Sequence, residues 1–184
     1  MRNIWSFPCR FDLGWAVPIR REPLPEHALH AHYQREGAYA DCYATRIEQP
    51  VSHAAFVAAF YTSWLFKLER SILKLVDKPS TDDEADALAR GERTSFAAWT
   101  VEARATDQIV MCDYLGRTRS WLMVEEVDGG KATRLYFGSV VVPKPKGAAR
   151  KSSLGASYTL LLGFHKLYSR ALLRAARSRL FRGR

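Results

Sequence analysis

The chain has 184 residues, of which 47% are hydrophobic and 26% are charged, as in an ordinary globular domain. A chain of this length can bury a sizeable core without disulfide or metal staples. Its three cysteines, Cys9, Cys42 and Cys112, are widely spaced and form no Cys-x-x-Cys motif. They exclude a disulfide framework and predict reduced thiols in a cytoplasmic protein.

The net charge of +9 is unevenly distributed. Residues 143–184 hold eleven of the 28 Lys and Arg and no Asp or Glu, so the remainder carries 17 basic and 19 acidic residues. The body of the domain is therefore not a general polyanion binder, and we predict no nucleic-acid partner. We expect these basic residues to lie on a C-terminal helix, opposite its apolar side, where they form a solvated face. The end of that helix is expected to fray into a tail.

The N-terminal residues lack the apolar run of a secretory signal. The longest helical stretch without Lys, Arg, Asp or Glu, residues 51–66, is shorter than the ~18–20 residues that a membrane span needs. We expect a cytoplasmic protein and no membrane insertion.

Residues 1–38 are rich in proline and have no clear period, which predicts an irregular lead-in. Alternation in residues 39–48 predicts a first strand that Pro50 stops. Ser52 is a plausible N-cap for a helical region up to about Val76, and Thr62-Ser63 suggests a break within it. Thr81-Asp-Asp-Glu84 has the pattern of a capping box and opens a short helix that Gly91 closes.

Four candidate strands follow, at residues 95–105, 108–114, 118–127 and 132–143. Their short Gly-containing turns predict an antiparallel meander. The last two strands are apolar on both sides, because Trp121 and Met123 alternate with Leu122 and Val124. We expect either the lead-in or another subunit to cover the second side.

Residues 143–147 predict an extended linker to a long amphipathic helix. Its apolar stripe is expected to hold Leu161, Phe164, His165, Tyr168, Ala171, Leu172 and Ala175. The opposite side is expected to present Lys166, Arg170, Arg174 and Arg177 to solvent. We predict an α+β domain at residues 39–180, with an antiparallel sheet of about five strands on the C-terminal helix and a basic tail at residues 181–184.

Five short segments carry a family resemblance: residues 40–43, 65–70, 117–121, 134–139 and 164–170. In them the chain resembles a bacterial domain family of unknown function, some of whose members are fused to NAD-binding domains. More widely it resembles the START and pollen-allergen-like superfamily, which has a helix-grip architecture. That superfamily usually has seven strands and includes lipid carriers, hormone receptors, polyketide cyclases and oxygenase subunits. The resemblance implies a helix-grip-like fold, often with a cavity between sheet and terminal helix.

Aromatic residues of the sheet and helix are candidates to line an apolar pocket, and we predict a ligand site of six residues: Trp99, Arg119, Trp121, Tyr136, His165 and Tyr168. Arg119 would anchor an anionic group of the ligand. The alternative role of the aromatic residues is simple core packing, and that of Arg119 is a structural ion pair with a charge on a neighbouring strand.

His165 is the candidate acid or base, because the unperturbed pKa of histidine lies near neutrality. The alternative is a core histidine whose ring nitrogens have hydrogen-bond partners. No second catalytic group is fixed by spacing, so a binding module is favoured over an enzyme. We predict no cofactor.

His27, His30 and His32 match no zinc signature, and no metal site is predicted. The leading interpretation is a module that binds an apolar small molecule between sheet and helix. The alternatives are a cyclase- or hydrolase-like enzyme using His165, and a module that self-associates as a homodimer or binds a protein partner through the second apolar side of the sheet.

Overall fold

The computed structural model describes residues 17–74, 79–142 and 154–182, with the side chains of residues 154–166 outside the description. In chain order, its elements are β1 (Arg20–Arg21), α1 (Ala31–Arg35), β2 (Tyr39–Ile47), α2 (His53–Tyr61), α3 (Trp64–Lys74), α4 (Asp82–Ala89), β3 (Ser95–Phe96), β4 (Trp99–Arg104), β5 (Gln108–Asp113), β6 (Thr118–Val127), β7 (Ala132–Val141) and α5 (Leu154–Arg182).

The strands form one antiparallel sheet in the order β1-β2-β7-β6-β5-β4-β3. The α+β class and the C-terminal helix are confirmed, but the prediction of about five strands is wrong, because the described part of the chain holds seven. The segment predicted as one strand from residue 95 to 105 is a hairpin of β3 and β4, in which Phe96 pairs with Trp99. Ala97 makes that turn with a φ of 51°.

The other additional strand lies in the lead-in. Arg20 and Arg21 pair with Ala44 and Tyr43 of β2, and α1 follows them before β2 begins. Two-residue strands carry too few residues to show a period of two, so the sequence pattern does not reveal them.

The helix boundaries agree with the predicted local signals. The Ser52 side chain accepts a hydrogen bond from the Ala55 amide at 3.2 Å, and Thr62 and Ser63 separate α2 from α3. Thr81 and Glu84 form both hydrogen bonds of the capping box at the start of α4. In the described residues, no helix has the length and apolar character needed to cross a bilayer.

The larger core lies between the sheet and helices α2, α4 and α5. Phe60 is its centre, with its ring centroid 4.9 Å from that of Phe137 on β7 and 5.8 Å from that of Phe66 on α3. Tyr61 and Phe96 extend this aromatic packing towards the β3 edge. Burial of this many large apolar side chains is the main force that holds the helices on the sheet.

The smaller core lies on the other side of the sheet, under the lead-in. Ala28, Ala31, Trp121, Met123 and Tyr136 are buried there. The chain's own residues therefore cover the second apolar side, which accounts for strands that are apolar on both sides without a second subunit.

Gly138 of β7 allows this close packing. A Cβ at that position would lie 2.8 Å from the Asp41 carbonyl oxygen, 2.9 Å from Trp121 Cε3 and 3.1 Å from His30 Nε2. The space beside Gly138 is thus filled by backbone and by two rings, so a glycine is needed here because no side chain would fit.

Helix α5 buries a different stripe from the predicted one. Leu172 and Ala175 are buried as expected, but Ser169, Leu173 and Ala176 are buried as well. Arg177 was expected in solvent, and this is wrong: it is 3% exposed, and its Nη1 donates hydrogen bonds to the Val17 carbonyl and to Thr45 Oγ1. The β1–β2 edge lies against this side of the helix and covers the guanidinium group.

Candidate functional site

The six predicted site residues lie on two sides of the sheet. Trp99 and Tyr168 pack against the larger core on the helix side. Trp121 and Tyr136 belong to the smaller core, and Arg119 contacts Tyr33, the α1 residue above it. The His165 backbone lies in α5, but its side chain is outside the described residues. One site cannot include all of them, because the sheet itself lies between the two groups.

Trp121 and Tyr136 are packed and hydrogen-bonded within the smaller core. Trp121 Nε1 donates to Gln108 Oε1 at 2.9 Å, and Gln108 also accepts a hydrogen bond from the Leu29 amide. Tyr136 Oη donates to Glu125 Oε2 at 2.6 Å. The contacts of Trp121 and Gln108 hold the lead-in on the sheet, and the Tyr136 hydrogen bond joins β7 to β6. Both aromatic residues therefore have a structural role.

Arg119 is part of the same attachment. Its Nε lies 2.9 Å from Tyr33 Oη and 2.9 Å from Glu102 Oε2, and its Nη1 donates to the Gly116 carbonyl at 2.6 Å. The guanidinium group also stacks on the Tyr33 ring at 4.9 Å. A guanidinium with these partners ties α1 to β4 and β6, and its charge is already paired with that of Glu102.

The three histidines of the lead-in do not converge. His30 is fully buried, with its ring centroid 4.5 Å from that of Trp121, whereas His32 Nδ1 faces the Leu29 carbonyl oxygen at 3.2 Å. Across the described ranges, no group of three or more His, Cys, Asp or Glu side chains is arranged to hold a metal ion.

The helix side of the sheet changes from apolar to polar towards one end. Tyr43, Phe137 and Leu122 form one apolar row across β2, β7 and β6. The next row on the same side consists of Asp41, Ser139 and Ser120, which we call the polar row.

Asp41 organises the polar row. Its Oδ1 accepts hydrogen bonds from the Ser139 amide at 3.1 Å and from Ser139 Oγ at 2.6 Å. Tyr39 Oη donates to its Oδ2 at 3.2 Å. A buried carboxylate with three donors is stabilised locally, so the polar row is a built feature of the interior.

Three polar side chains from the helices lie towards this end of the core. Tyr61, at the end of α2, is fully buried and close enough to Ser120 and Glu69 for both to affect its pKa. Tyr168 of α5 donates a hydrogen bond from Oη to Glu69 Oε2 of α3. Tyr61, Glu69, Tyr168 and Ser120 therefore form one polar group between helices and sheet, which we call the interior polar group.

The Tyr61 hydroxyl is the member of this group that has no hydrogen-bond partner among the described residues. Ser120 faces it closely enough to oppose the rise in its pKa, yet no described residue has the geometry of a hydrogen bond to Tyr61 Oη. A buried hydroxyl without a partner costs about 1–3 kcal/mol, so a ligand group that bonded to it would recover part of that free energy.

Burial sets the protonation of the interior polar group. It raises the pKa of the Glu69 carboxyl, an effect that the Tyr168 hydrogen bond partly opposes. Burial also raises the pKa values of the Tyr61 and Tyr168 hydroxyls, so both are neutral donors at ordinary pH. Glu69 with a raised pKa can exchange a proton with a bound molecule, and the hydroxyls can orient it.

Sequence reasoning identified Tyr168 and Trp99 on this side but missed Tyr61, Glu69 and the polar row. Glu69 lies between the apolar positions Leu65, Ile72 and Leu73 of α3. A charge inside the apolar arc of an amphipathic helix was the available signal. The polar row could not be recognised without strand register, because its members come from three strands.

Comparison of the chain with models of protein families, with curated proteins and with solved structures found no match in any of the three. The family resemblance therefore stays a prediction, and the candidate site rests on its own geometry.

Proposed function

We propose that the protein is a small-molecule-binding module that holds a largely apolar ligand between the sheet and α5, with the interior polar group as its hydrogen-bonding end. The observation that carries the proposal is the buried Tyr61 hydroxyl, which faces Ser120 without a hydrogen-bond partner among the described residues. A seven-stranded antiparallel sheet with a long C-terminal helix is also what a helix-grip-like fold implies.

The chemistry of the surroundings defines the ligand class. Phe66, Phe96 and Trp99 supply aromatic surface beside Tyr61, and ring centroids of Phe66 and Trp99 are 5.6 Å apart. Tyr61 and Tyr168 supply hydroxyls, and Glu69 supplies a carboxyl that burial keeps closer to its neutral form. This combination fits an apolar molecule with one carbonyl or hydroxyl group and disfavours a polyanion.

Tyr61→Phe tests the proposal. The substitution removes the unpartnered hydroxyl, so the free energy of unfolding is expected to stay level or to rise. Loss of one hydrogen bond to the ligand is expected to weaken binding about tenfold. Native mass spectrometry of freshly purified protein would detect the co-purified molecule, and titration with an anilinonaphthalene sulfonate probe would compare affinities.

Tyr136→Phe is the matched control, because it removes a buried hydroxyl on the other side of the sheet. It is expected to lower stability through loss of the Glu125 hydrogen bond and to leave probe affinity unchanged. Equal affinities of wild type and Tyr61→Phe, with no co-purified molecule in either, would contradict the proposal.

An enzyme remains the second candidate, and the Glu69–Tyr168 pair is the specific observation in its favour. A carboxyl whose pKa is raised by burial and that contacts a hydroxyl is suited to general acid catalysis. Glu69→Gln separates the two functions. If the protein is a carrier, Glu69→Gln should still bind the molecule. If it is an enzyme, wild type should convert the bound molecule to a product of different mass during incubation, whereas Glu69→Gln should bind the molecule and leave its mass unchanged in native mass spectrometry.

A further inference from the structure

Helix α3 presents an apolar stripe to solvent. Trp64, Leu68 and Ile72 recur every four residues and therefore lie on one side of the helix, which we call the α3 stripe. Together with Leu167 of α5, their exposed fractions lie between 56% and 68%. Phe66 of the same helix is buried in the larger core, so α3 is anchored by one side while it exposes another.

A groove continues this surface onto α5. It has a volume of about 440 Å³, with Ile19, Trp64 and Leu167 among its lining residues. The small side chains of Ala171 and Ala175 leave room between the two helices and Ile19. Trp64 and Leu167 line this groove together, which joins the α3 stripe to α5 as one continuous apolar surface.

The charges beside this surface are cationic. Arg170 and Arg174 line the groove, and neither forms an ion pair within the described part of the chain. The Arg170 guanidinium stacks on the Tyr43 ring at 5.6 Å.

The acidic groups near α3 already have partners. Glu69 accepts the Tyr168 hydrogen bond, and Asp82 accepts Lys67 Nζ at 2.5 Å and Arg70 Nη1 at 2.6 Å. The surface therefore offers apolar side chains and two cations that form no ion pair with described residues, while the nearby carboxylates Glu69 and Asp82 already have partners.

We propose that the α3 stripe and the adjoining groove dock the protein peripherally on an anionic lipid bilayer. An amphipathic helix with Trp and Leu on one side and Lys and Arg on the other inserts its apolar side at the headgroup level. Arg170 and Arg174 would contact lipid phosphates, which carry the complementary charge. This inference does not depend on the interior ligand site.

A protein partner fits these observations less well. A protein interface satisfies its polar groups with specific partners, whereas this surface combines a single apolar stripe with two guanidinium groups that form no ion pair in the described part of the chain. A bilayer requires no shape complementarity and supplies phosphates at any position along the groove. An anionic bilayer is therefore the partner that this surface fits best.

Vesicle co-sedimentation of the full chain tests the proposal. Wild type is expected to bind phosphatidylcholine–phosphatidylglycerol vesicles, more weakly at high salt, and to bind phosphatidylcholine vesicles much less. The triple variant W64S/L68S/I72S is expected to lose at least tenfold in affinity for the anionic vesicles. The double variant R170Q/R174Q is expected to lose about 30-fold, since each cation near an anionic surface contributes about a factor of five.

The double variant Y114S/L115S is the matched control. Tyr114 and Leu115 are about as exposed as the α3 stripe but lie in the turn between β5 and β6, so vesicle affinity should stay at the wild-type value. Thermal unfolding of each variant would establish that it is folded, as expected for exposed positions.

Two results would overturn the proposal. One is vesicle binding that both variant sets leave unchanged, because the contact would then be made elsewhere, for example by the basic C-terminus. The other is failure of wild type to bind vesicles at low salt, together with a dimer in light scattering that W64S/L68S/I72S converts to a monomer. The surface would then be a self-association interface.

Discussion

At the scale of single residues, His30 and His53 connect the fold to pH. Both are buried, and neither ring nitrogen of His30 nor Nε2 of His53 has a hydrogen-bond partner among the described residues. Burial lowers the pKa of each to about 4 from the ordinary value of 6.5, with His32 adding to the effect at His30 and the Leu122 backbone opposing it at His53. Each ring is thus buried in its neutral form.

Acid is therefore expected to destabilise the protein. Between pH 6.5 and about pH 4, the unfolded chain binds protons that the folded histidines exclude, so stability falls as the pH falls through this window. Each histidine contributes up to about 3 kcal/mol, and its contribution is fully present above the unfolded pKa. Urea unfolding at several pH values would measure the slope.

His30→Phe is expected to remove about half of the histidine-dependent slope, and the double variant with His53→Phe nearly all of it. His27→Gln removes an exposed histidine and is the matched control. A slope that His30→Phe and His53→Phe leave at its wild-type value would show that other groups cause the acid sensitivity.

At the scale of elements, Arg177 joins the C-terminal helix to the beginning of the described chain. It is buried, and its Nη1 donates to the Val17 carbonyl and, at 2.5 Å, to Thr45 Oγ1. Burial lowers the pKa of its guanidinium group, but Arg remains charged. The charge is accommodated because these oxygen atoms replace water as acceptors.

Arg177→Ala is expected to lower the free energy of unfolding by about 3 kcal/mol, because it leaves one buried and one partly buried acceptor without this donor and opens a cavity. Chemical denaturation would measure the change. Arg174→Ala is the matched control on the same helix: Arg174 is exposed, and its charge disfavours that of Arg177, so the expected change is within about 0.5 kcal/mol. Equal effects of the two substitutions would contradict a role for Arg177 in joining these elements.

The elements also show what sequence patterns can and cannot predict. The Ser52 cap, the Thr81 capping box and the break at Thr62-Ser63 were predictable because each depends on a few neighbouring residues. The face of each strand residue depends on register across the sheet. The pairing of β4 with β5 shifts its register between Val101 and Ala103, which places Val101 against the larger core and Ala103 against the smaller one. No pattern within β4 predicts that shift.

The same dependence on register explains why residues predicted to share one ligand site lie on two sides of the sheet. Trp99 and Trp121 both lie in apolar strands, but only Trp99 lies on the side of α5. A substitution such as Trp121→Glu, designed to test association through the second side of the sheet, would place a charge in a buried core and report on stability.

At the scale of the whole molecule, the sheet separates two cores of different size. The larger one lies under α2, α4 and α5, and the smaller one lies under residues 24–33. The smaller is held by Trp121, by Gln108 and by the contacts of Arg119 with Tyr33 and Glu102. A layer with fewer buried contacts can open without unfolding of the rest, because stability is not uniform across a structure.

Arg119→Met is expected to loosen this layer selectively. It removes the ion pair with Glu102 and the bond to Tyr33, so amide hydrogen exchange in α1 should become about tenfold faster while residues 172–176 of α5 keep their protection. Arg70→Met is the matched control on the other side, where Arg70 binds Ser80 and Asp82, and it should affect α3 but not α1. Faster exchange in α1 and α5 alike after Arg119→Met would mean that both layers open together as one cooperative unit.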